Sequence, residues 1–296
     1  MNEHIVVALD GSECAASALD VAIAFSQIKK SELSICSVAD PRELVGSEAL
    51  LADSVAGEMR DDAVRIVDEA VAKARTAGVA AQGRVVEGDV VREILTFAEG
   101  SHAAAIVVGT HGRSGIARLL MGSVAEGVLR HATMPVLTVR EPAKIASQPQ
   151  ILVPIDGSKP SLHALDVAVD FAASLGAQIV VCHVVNLGEV AVLTGGEAQL
   201  LPQCLEEAEA QGRQIVDDAL ARIGGRVPAS ARIARGEALY ELEALANDVH
   251  PDLIAIGSHG RTGLNRAMMG SVAEGLVRGA QSPVMVVPAR MYAAVA

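Results

Sequence analysis

Residues 106–139 read IVVGTHGRSGIARLLMGSVAEGVLRHATMPVLTV, and residues 254–287 read IAIGSHGRTGLNRAMMGSVAEGLVRGAQSPVMVV. The stretches lie 148 positions apart, and 19 of their 34 positions are identical. A second pair, Val7-Ala8-Leu9-Asp10-Gly11-Ser12 and Val153-Pro154-Ile155-Asp156-Gly157-Ser158, is displaced by 146. Self-similarity at a nearly fixed offset outranks any local pattern in deciding a fold. Here it means that one whole domain occurs twice.

The length of 296 residues suits two domains of ordinary size. The expected division is a first domain over 1–141, a linker over 142–150 and a second domain over 151–290. The connecting stretch, Glu141 to Gln150, holds two prolines and little apolar content, as a short stiff connector should.

Within the first copy, five apolar runs read as strands: 5–9, 33–38, 79–86, 104–108 and 135–139. The second copy repeats them at 151–155, 178–184, 227–234, 253–256 and 284–287. Helical stretches separate the runs; the first carries Leu19, Ala22 and Ile23 on one face. Continuous β-branched runs alternating with helices imply a parallel sheet covered on both faces. With right-handed crossovers, each copy is predicted to be a doubly wound five-stranded α/β domain of strand order 3-2-1-4-5. Residues 41–53 and 187–199 follow the second strands, differ between copies and read as loops over the mouth of a site.

Hydrophobic residues make up 51% of the chain and aromatics 2%, which suits helices packed closely on a sheet. The net charge of −12 argues against a sequence-independent grip on nucleic acid. Every apolar run falls short of the ~18 residues of a membrane span. The start, Met1-Asn2-Glu3-His4, lacks the order of a signal peptide, so the expected location is cytoplasmic. Cys36 and Cys182 hold matching places in matching strands and read as buried structural thiols. Neither a CxxC spacing nor a His/Cys cluster suggests a metal.

In a doubly wound sheet, ligands bind beyond the carboxyl ends of the strands where strand order reverses. For the predicted order that crevice lies between strands 1 and 4, where the repeated residues collect. Asp10 and Asp156 follow strand 1. Gly109-Thr110-His111-Gly112-Arg113 and Gly257-Ser258-His259-Gly260-Arg261 follow strand 4. Gly122-Ser123-Val124 and Gly270-Ser271-Val272 open the last helix. Glycines after a strand permit φ > 0 and close approach of a ligand, and a helix start offers unpartnered N–H groups to an anion.

Each of these residues also has a structural reading. Ser123 with Glu126, and Ser271 with Glu274, fit a capping box. Asp10 and Asp156, or the serines that follow, fit helix N-caps. Alternatively these carboxylates take ribose hydroxyls or hold water on a phosphate-bound Mg²⁺. Arg113 and Arg261 fit phosphate contacts or solvated surface equally well, and His111 and His259 read as packing or capping residues rather than catalytic ones.

The pattern Gly109-x2-Gly112-x9-Gly122-Ser123, repeated as Gly257-x2-Gly260-x9-Gly270-Ser271, resembles the ATP-binding signature of the universal stress protein family. The resemblance covers nearly the whole chain, twice. It implies adenine near Val38 and Val184, ribose by Asp10 and Asp156, phosphates on the glycine loops with Ser123 and Ser271, and Val108 and Ile256 against the nucleoside. Departures occur at Ala8, where the second copy has the family's Pro154, and at Asp252, which the first copy lacks. The implied function is regulation by ATP occupancy, without a catalytic residue and with slow hydrolysis at most. The alternative is an enzyme of the related adenine-nucleotide group, an ATP pyrophosphatase or adenylyl transferase. Its S-G-G-x-D-S and H-x-G-H motifs are absent, as is a dinucleotide-binding G-x-G-x-x-G after strand 1. The apolar runs 135–139 and 283–287 are predicted edge strands whose pairing within the chain would bury both. A homodimer is a further expectation.

Overall fold

The computed structural model describes residues 4–40, 52–112, 121–193, 197–260 and 269–293. The chain forms two compact units, Met1–Ile145 and Ala146–Ala296.

The first unit alternates strands and helices in the order β1 (Ile5–Ala8), α1 (Glu13–Lys29), β2 (Leu33–Ala39), α2 (Ala52–Thr76), β3 (Ala81–Glu87), α3 (Val90–Gly100), β4 (Ala105–Gly109), α4 (Ser123–His131) and β5 (Val136–Val139). All pairings are parallel and the sheet order is β3-β2-β1-β4-β5. The predicted order 3-2-1-4-5 is therefore observed. Ile5, Val6 and Val7 of β1 and Ile106 and Val107 of β4 are buried on both faces, as central parallel strands require. Helix α1 starts where the Ser12 hydroxyl accepts from the Ala15 N–H, and it buries Leu19, Ala22 and Ile23 against the sheet.

The second unit contains β6 (Gln150–Pro154), α5 (Lys159–Leu175), β7 (Gln178–Asn186), α6 (Leu187–Leu193), a 3₁₀ turn (Ala198–Leu200), α7 (Leu201–Ile223), β8 (Ala229–Gly236), α8 (Ala238–Val249), β9 (Leu253–Gly257), α9 (Ser271–Gly279), β10 (Val284–Val287) and α10 (Ala289–Ala293). Its sheet is again parallel, in the order β8-β7-β6-β9-β10. Among the described residues no helix is long and apolar enough to cross a membrane.

Two expectations change. The predicted loop over 187–199 is partly helical: the Asn186 side chain caps α6 by accepting from the Gly188 and Glu189 N–H groups at 2.9 and 3.3 Å, and Val190 is buried. One buried side chain among residues 187–192 is too weak a periodic signal to read in advance. Most of the other predicted loop, 41–51, lies outside the described residues. The third strands, β3 and β8, also start and end later than their apolar runs. At the sheet edge they are largely exposed, so their hydrophobic pattern blurs.

Candidate functional site

Where β6 ends, the chain turns through Ile155 and Asp156 into α5. The Asp156 Oδ1 accepts the Ser158 N–H at 2.9 Å, and Ser158 in turn caps the helix by accepting from the Ser161 N–H at 3.3 Å. The first unit repeats this: Asp10 Oδ1 accepts the Ser12 N–H at 2.9 Å, and Ser12 is the cap. Neither aspartate caps a helix. Each is instead clamped through one oxygen, with its second oxygen turned toward the strand-4 loop.

That orientation explains the glycines. A Cβ at Gly260 would lie 2.7 Å from Asp156 Oδ2, and one at Gly112 would lie 2.8 Å from Asp10 Oδ2. Gly257 and Gly109 are pressed against backbone: a Cβ would come within 3.0 Å of the Pro160 carbonyl oxygen and 2.8 Å of the Cys14 carbonyl carbon. The expected φ > 0 is not found at any of these four glycines. Close approach, not left-handed backbone, is what excludes a side chain.

Beyond β9 the loop is closed by the Gly270 N–H donating to the Ser258 carbonyl at 2.8 Å; Gly122 N–H to Thr110 carbonyl, also 2.8 Å, closes the first. The helices that follow, α9 and α4, are capped by Gly270 and Gly122 with no side-chain bond. The first return bonds come from the Glu274 and Glu126 N–H groups. The N–H groups of Ser271, Val272 and Ala273, and of Ser123, Val124 and Ala125, therefore have no partner within their helices. This corrects the capping-box reading. Glycine occupies the cap position and the serines are the first helical residues, exposed at the surface. The glutamates pair forward instead, Glu274 with Arg278 and Glu126 with Arg130, both at 2.6 Å.

These parts meet in one cleft of about 290 Å³ in the second unit. Asp156, Val184, Ile256, Gly257, Gly260, Gly270, Ser271 and Val272 all line it, so every described site residue expected in this unit is brought together. In the first unit Asp10, Gly112 and Gly122 are joined by the same contacts, Val108 is buried before Gly109, and Val38 is half-buried at the end of β2. Arg113 and Arg261 lie outside the described residues.

Sequence reasoning missed Cys182, His183, Asn186, Glu189, Glu237 and Leu242, which also line the second unit's cleft. The His183 ring is buried with Nδ1 2.8 Å from the Ile155 carbonyl. Burial raises the Cys182 thiol well above its ordinary value and pushes Cys36, its counterpart, up to about 12. Both stay protonated and inert, and Cys182 is part of the cleft wall. The strand-4 histidines are braced by the residue before them, His111 Nδ1 to Thr110 Oγ1 at 2.8 Å and His259 Nδ1 to Ser258 Oγ at 2.9 Å. One signal for Glu237 was present: Gly88-Asp89 and Gly236-Glu237 put an acid after a glycine at the end of the third strand in both copies.

Asp252, the other departure between copies, has a structural role. Its carboxylate accepts the Ala146 and Gln150 N–H groups at 2.6 and 2.8 Å, fixing the segment that leads into β6.

The geometry suits a ligand with an anionic tail. The tail end offers helix-start amides and bare backbone, which hold phosphate without a cationic side chain. Val184, Ile256 and Leu242 give the cleft an apolar wall, and Asp156, Glu189 and Glu237 bring carboxylates to its lining.

The family model described as "Universal stress protein family" matches residues 1–140 and again 149–288. A universal stress protein of Mycobacterium tuberculosis is 27% identical over 310 residues, covering 96% of this chain and 95% of the relative. One from Mycolicibacterium smegmatis is 30% identical over 221 residues, covering 73% of this chain and 71% of its own. The crystal structure of a universal stress protein from Archaeoglobus fulgidus superposes with a TM-score of 0.69 at 23% identity, covering 97% and 98% of the two chains, which shows a shared fold.

Proposed function

Because the chain belongs to the universal stress protein family, we propose that each of its units binds one adenine nucleotide, and that ATP occupancy regulates the protein's response to stress. One observation carries the reading. In both units an uncapped helix start, a loop with two side-chain-free positions and a clamped aspartate are assembled side by side.

The amides of 271–273 and 123–125 receive the phosphates, aided by the positive end of the helix dipole. Asp156 and Asp10 accept from ribose hydroxyls beside the loop glycines. The apolar wall of Val184, Ile256 and Leu242 holds the nucleoside. Mg²⁺ retains most of its waters and is bound chiefly by phosphates with one or two carboxylates. The same aspartates supply such a carboxylate only in the alternative in which they hold a water on the ion in place of ribose hydroxyls.

The protein acts by being filled and emptied, with turnover slower than exchange. Calorimetric titration with ATP tests this. Two nucleotides per chain are expected, with a melting temperature that climbs with ligand concentration. A chain that binds neither ATP nor ADP, or that releases phosphate faster than nucleotide, would contradict it.

A further inference from the structure

Building on this nucleotide reading, we propose that the two sites fill at different nucleotide concentrations, the second unit first. His183 braces the strand end that carries Asp156, and the first unit, with Ser37 in that place, lacks the bond.

Up to the strand ends the units are alike. The Ile155 N–H donates to the Cys182 carbonyl at 2.8 Å, as the Leu9 N–H does to the Cys36 carbonyl. Each aspartate comes one residue later, and there the units part. The His183 ring is buried with Nδ1 2.8 Å from the Ile155 carbonyl; since a carbonyl only accepts, Nδ1 carries the proton. Ser37 is buried in the matching place of the first unit, and no bond joins it to the Leu9 carbonyl.

The ring sits in a slot shaped for it. A Cβ on Gly212 of α7 would lie 2.9 Å from Cδ2 and 3.3 Å from Nε2 of His183, so helix backbone presses on the edge of the ring. Gly212, Val216 and Ala219 are buried along α7 at the spacing of Ala63, Val67 and Ala70 along α2. Gly212 therefore stands where the first unit has Ala63. Strand and helix have exchanged bulk together, histidine against glycine in one unit and serine against alanine in the other. Packed this way, the imidazole cannot swing away from the carbonyl without displacing α7.

A carboxylate already held in place binds a ligand at less entropic cost than a mobile one. Asp156 follows the braced carbonyl directly, with Oδ1 tied to the Ser158 N–H and Oδ2 beside Gly260. Pro154 stiffens the same strand end by fixing φ just before Ile155, where the first unit has Ala8. The first unit has a bond of its own, from the Ser12 hydroxyl to the His111 carbonyl at 3.2 Å. It is long and only part-buried, and it ties the strand-4 loop rather than the strand end. The second site is therefore the better preorganised. Over a range of ATP in which equal sites would fill together, the chain holds one nucleotide.

Calorimetry with ATP on full chains that keep one site each tests this. Gly112→Val fills the space of Asp10 and leaves the second site; Gly260→Val does the same to Asp156 and leaves the first. The second site is expected to bind about fivefold to tenfold more tightly. In the Gly112→Val chain, His183→Leu fills the slot without a donor and should weaken ATP about fivefold, to near the level of the first site. His183→Asn is smaller but has an amide that can donate to the Ile155 carbonyl, and should restore affinity to within about twofold. A side chain that only filled space would give the reverse order, with Leu keeping affinity and Asn losing it. That order, or a first site as tight as the second, overturns the inference and leaves the nucleotide reading standing. Binding of no ATP by the unmodified chain overturns both. Should His183→Leu fail to fold, Ser37→His with Ala63→Gly in the Gly260→Val chain decides. The transplant should tighten the first site about threefold or more, and a folded transplant with unchanged affinity overturns the inference.

Discussion

A first side-chain carbon on Gly260 would sit 2.7 Å from Oδ2 of Asp156, a carboxylate whose other oxygen is already tied to the Ser158 backbone. The loop glycine and the strand-1 aspartate therefore share one space. Gly260→Ala must push the carboxylate off its clamp, because a carbon–oxygen approach that short is not tolerated. The fold has room to absorb this, since only a side-chain terminus moves. ATP affinity at the second site should fall about tenfold or more, with melting almost unchanged. Calorimetry and thermal denaturation read the two effects separately.

Gly257→Ala should behave in the opposite way. Its Cβ would meet the Pro160 carbonyl oxygen at 3.0 Å and carbon at 3.1 Å, so backbone of α5 has to yield. Such overpacking typically costs about 1–3 kcal/mol. Stability to urea should drop by that amount before any ligand is added. A Gly257→Ala chain as stable as its parent would show that α5 and β9 are less closely packed than described.

The division of labour between these glycines explains what was legible in the sequence. Gly109, Gly112, Gly122 and their copies recur at fixed spacing, so the tail end of the site could be read from repetition alone. The fold followed from the same repeat and from the apolar runs of the inner strands. Beyond Val184 and Ile256, which the family resemblance supplied, the head end could not be read, because it is built where the copies differ: His183 stands opposite Ser37, Asn186 opposite Asp40, and Glu189 sits on a helix whose counterpart segment has unrelated sequence. The serine-to-glutamate spacing at the last helix matched a capping box by pattern, yet the Glu274 N–H returns to the carbonyl of Gly270, whose backbone is extended, and this puts the glycine, not the serine, at the cap.

The four cysteines should separate into two classes. Cys36 and Cys182 are fully buried, Cys14 and Cys204 partly exposed. Iodoacetamide at pH 8 should label Cys14 and Cys204 in the native protein and reach the other two only after unfolding. The raised value of Cys36, about 12, also has a sign. The unfolded thiol ionises near ~8.5, so the folded state binds the proton more tightly. That contribution to stability is complete below pH ~8.5 and is lost as pH rises toward 12. Cys36→Ala should flatten the alkaline side of the stability curve.

Asp252 offers a test of the connection into β6. Its two oxygens hold the Ala146 and Gln150 N–H groups at 2.6 and 2.8 Å. Hydrogen bonds to a charged group are worth about 1.5–3 kcal/mol each where buried and less where water competes. Asp252→Ala should cost about 1–2 kcal/mol on that scale. It should also make the segment around residue 145 a preferred site of limited proteolysis, read by mass spectrometry of the fragments. Nucleotide affinity should hardly move.

Ser271→Asp sets stability against binding at one position. Ser271 is the first residue of α9, exposed, beside amides that no side chain caps. A carboxylate there interacts favourably with the helix start by about 0.3–1 kcal/mol. The ligand-free protein should therefore melt higher, by about 1–3 °C for a domain of this size. The same negative charge occupies the ground of the phosphates and repels them, so ATP affinity at the second site should fall about tenfold or more. Raising salt should shrink both effects together, because one field produces them. If the helix start were merely an unfilled end with no anion to receive, the melting temperature would still rise and affinity would stay where it was. Opposite movements of the two readouts are what only an anion cradle produces.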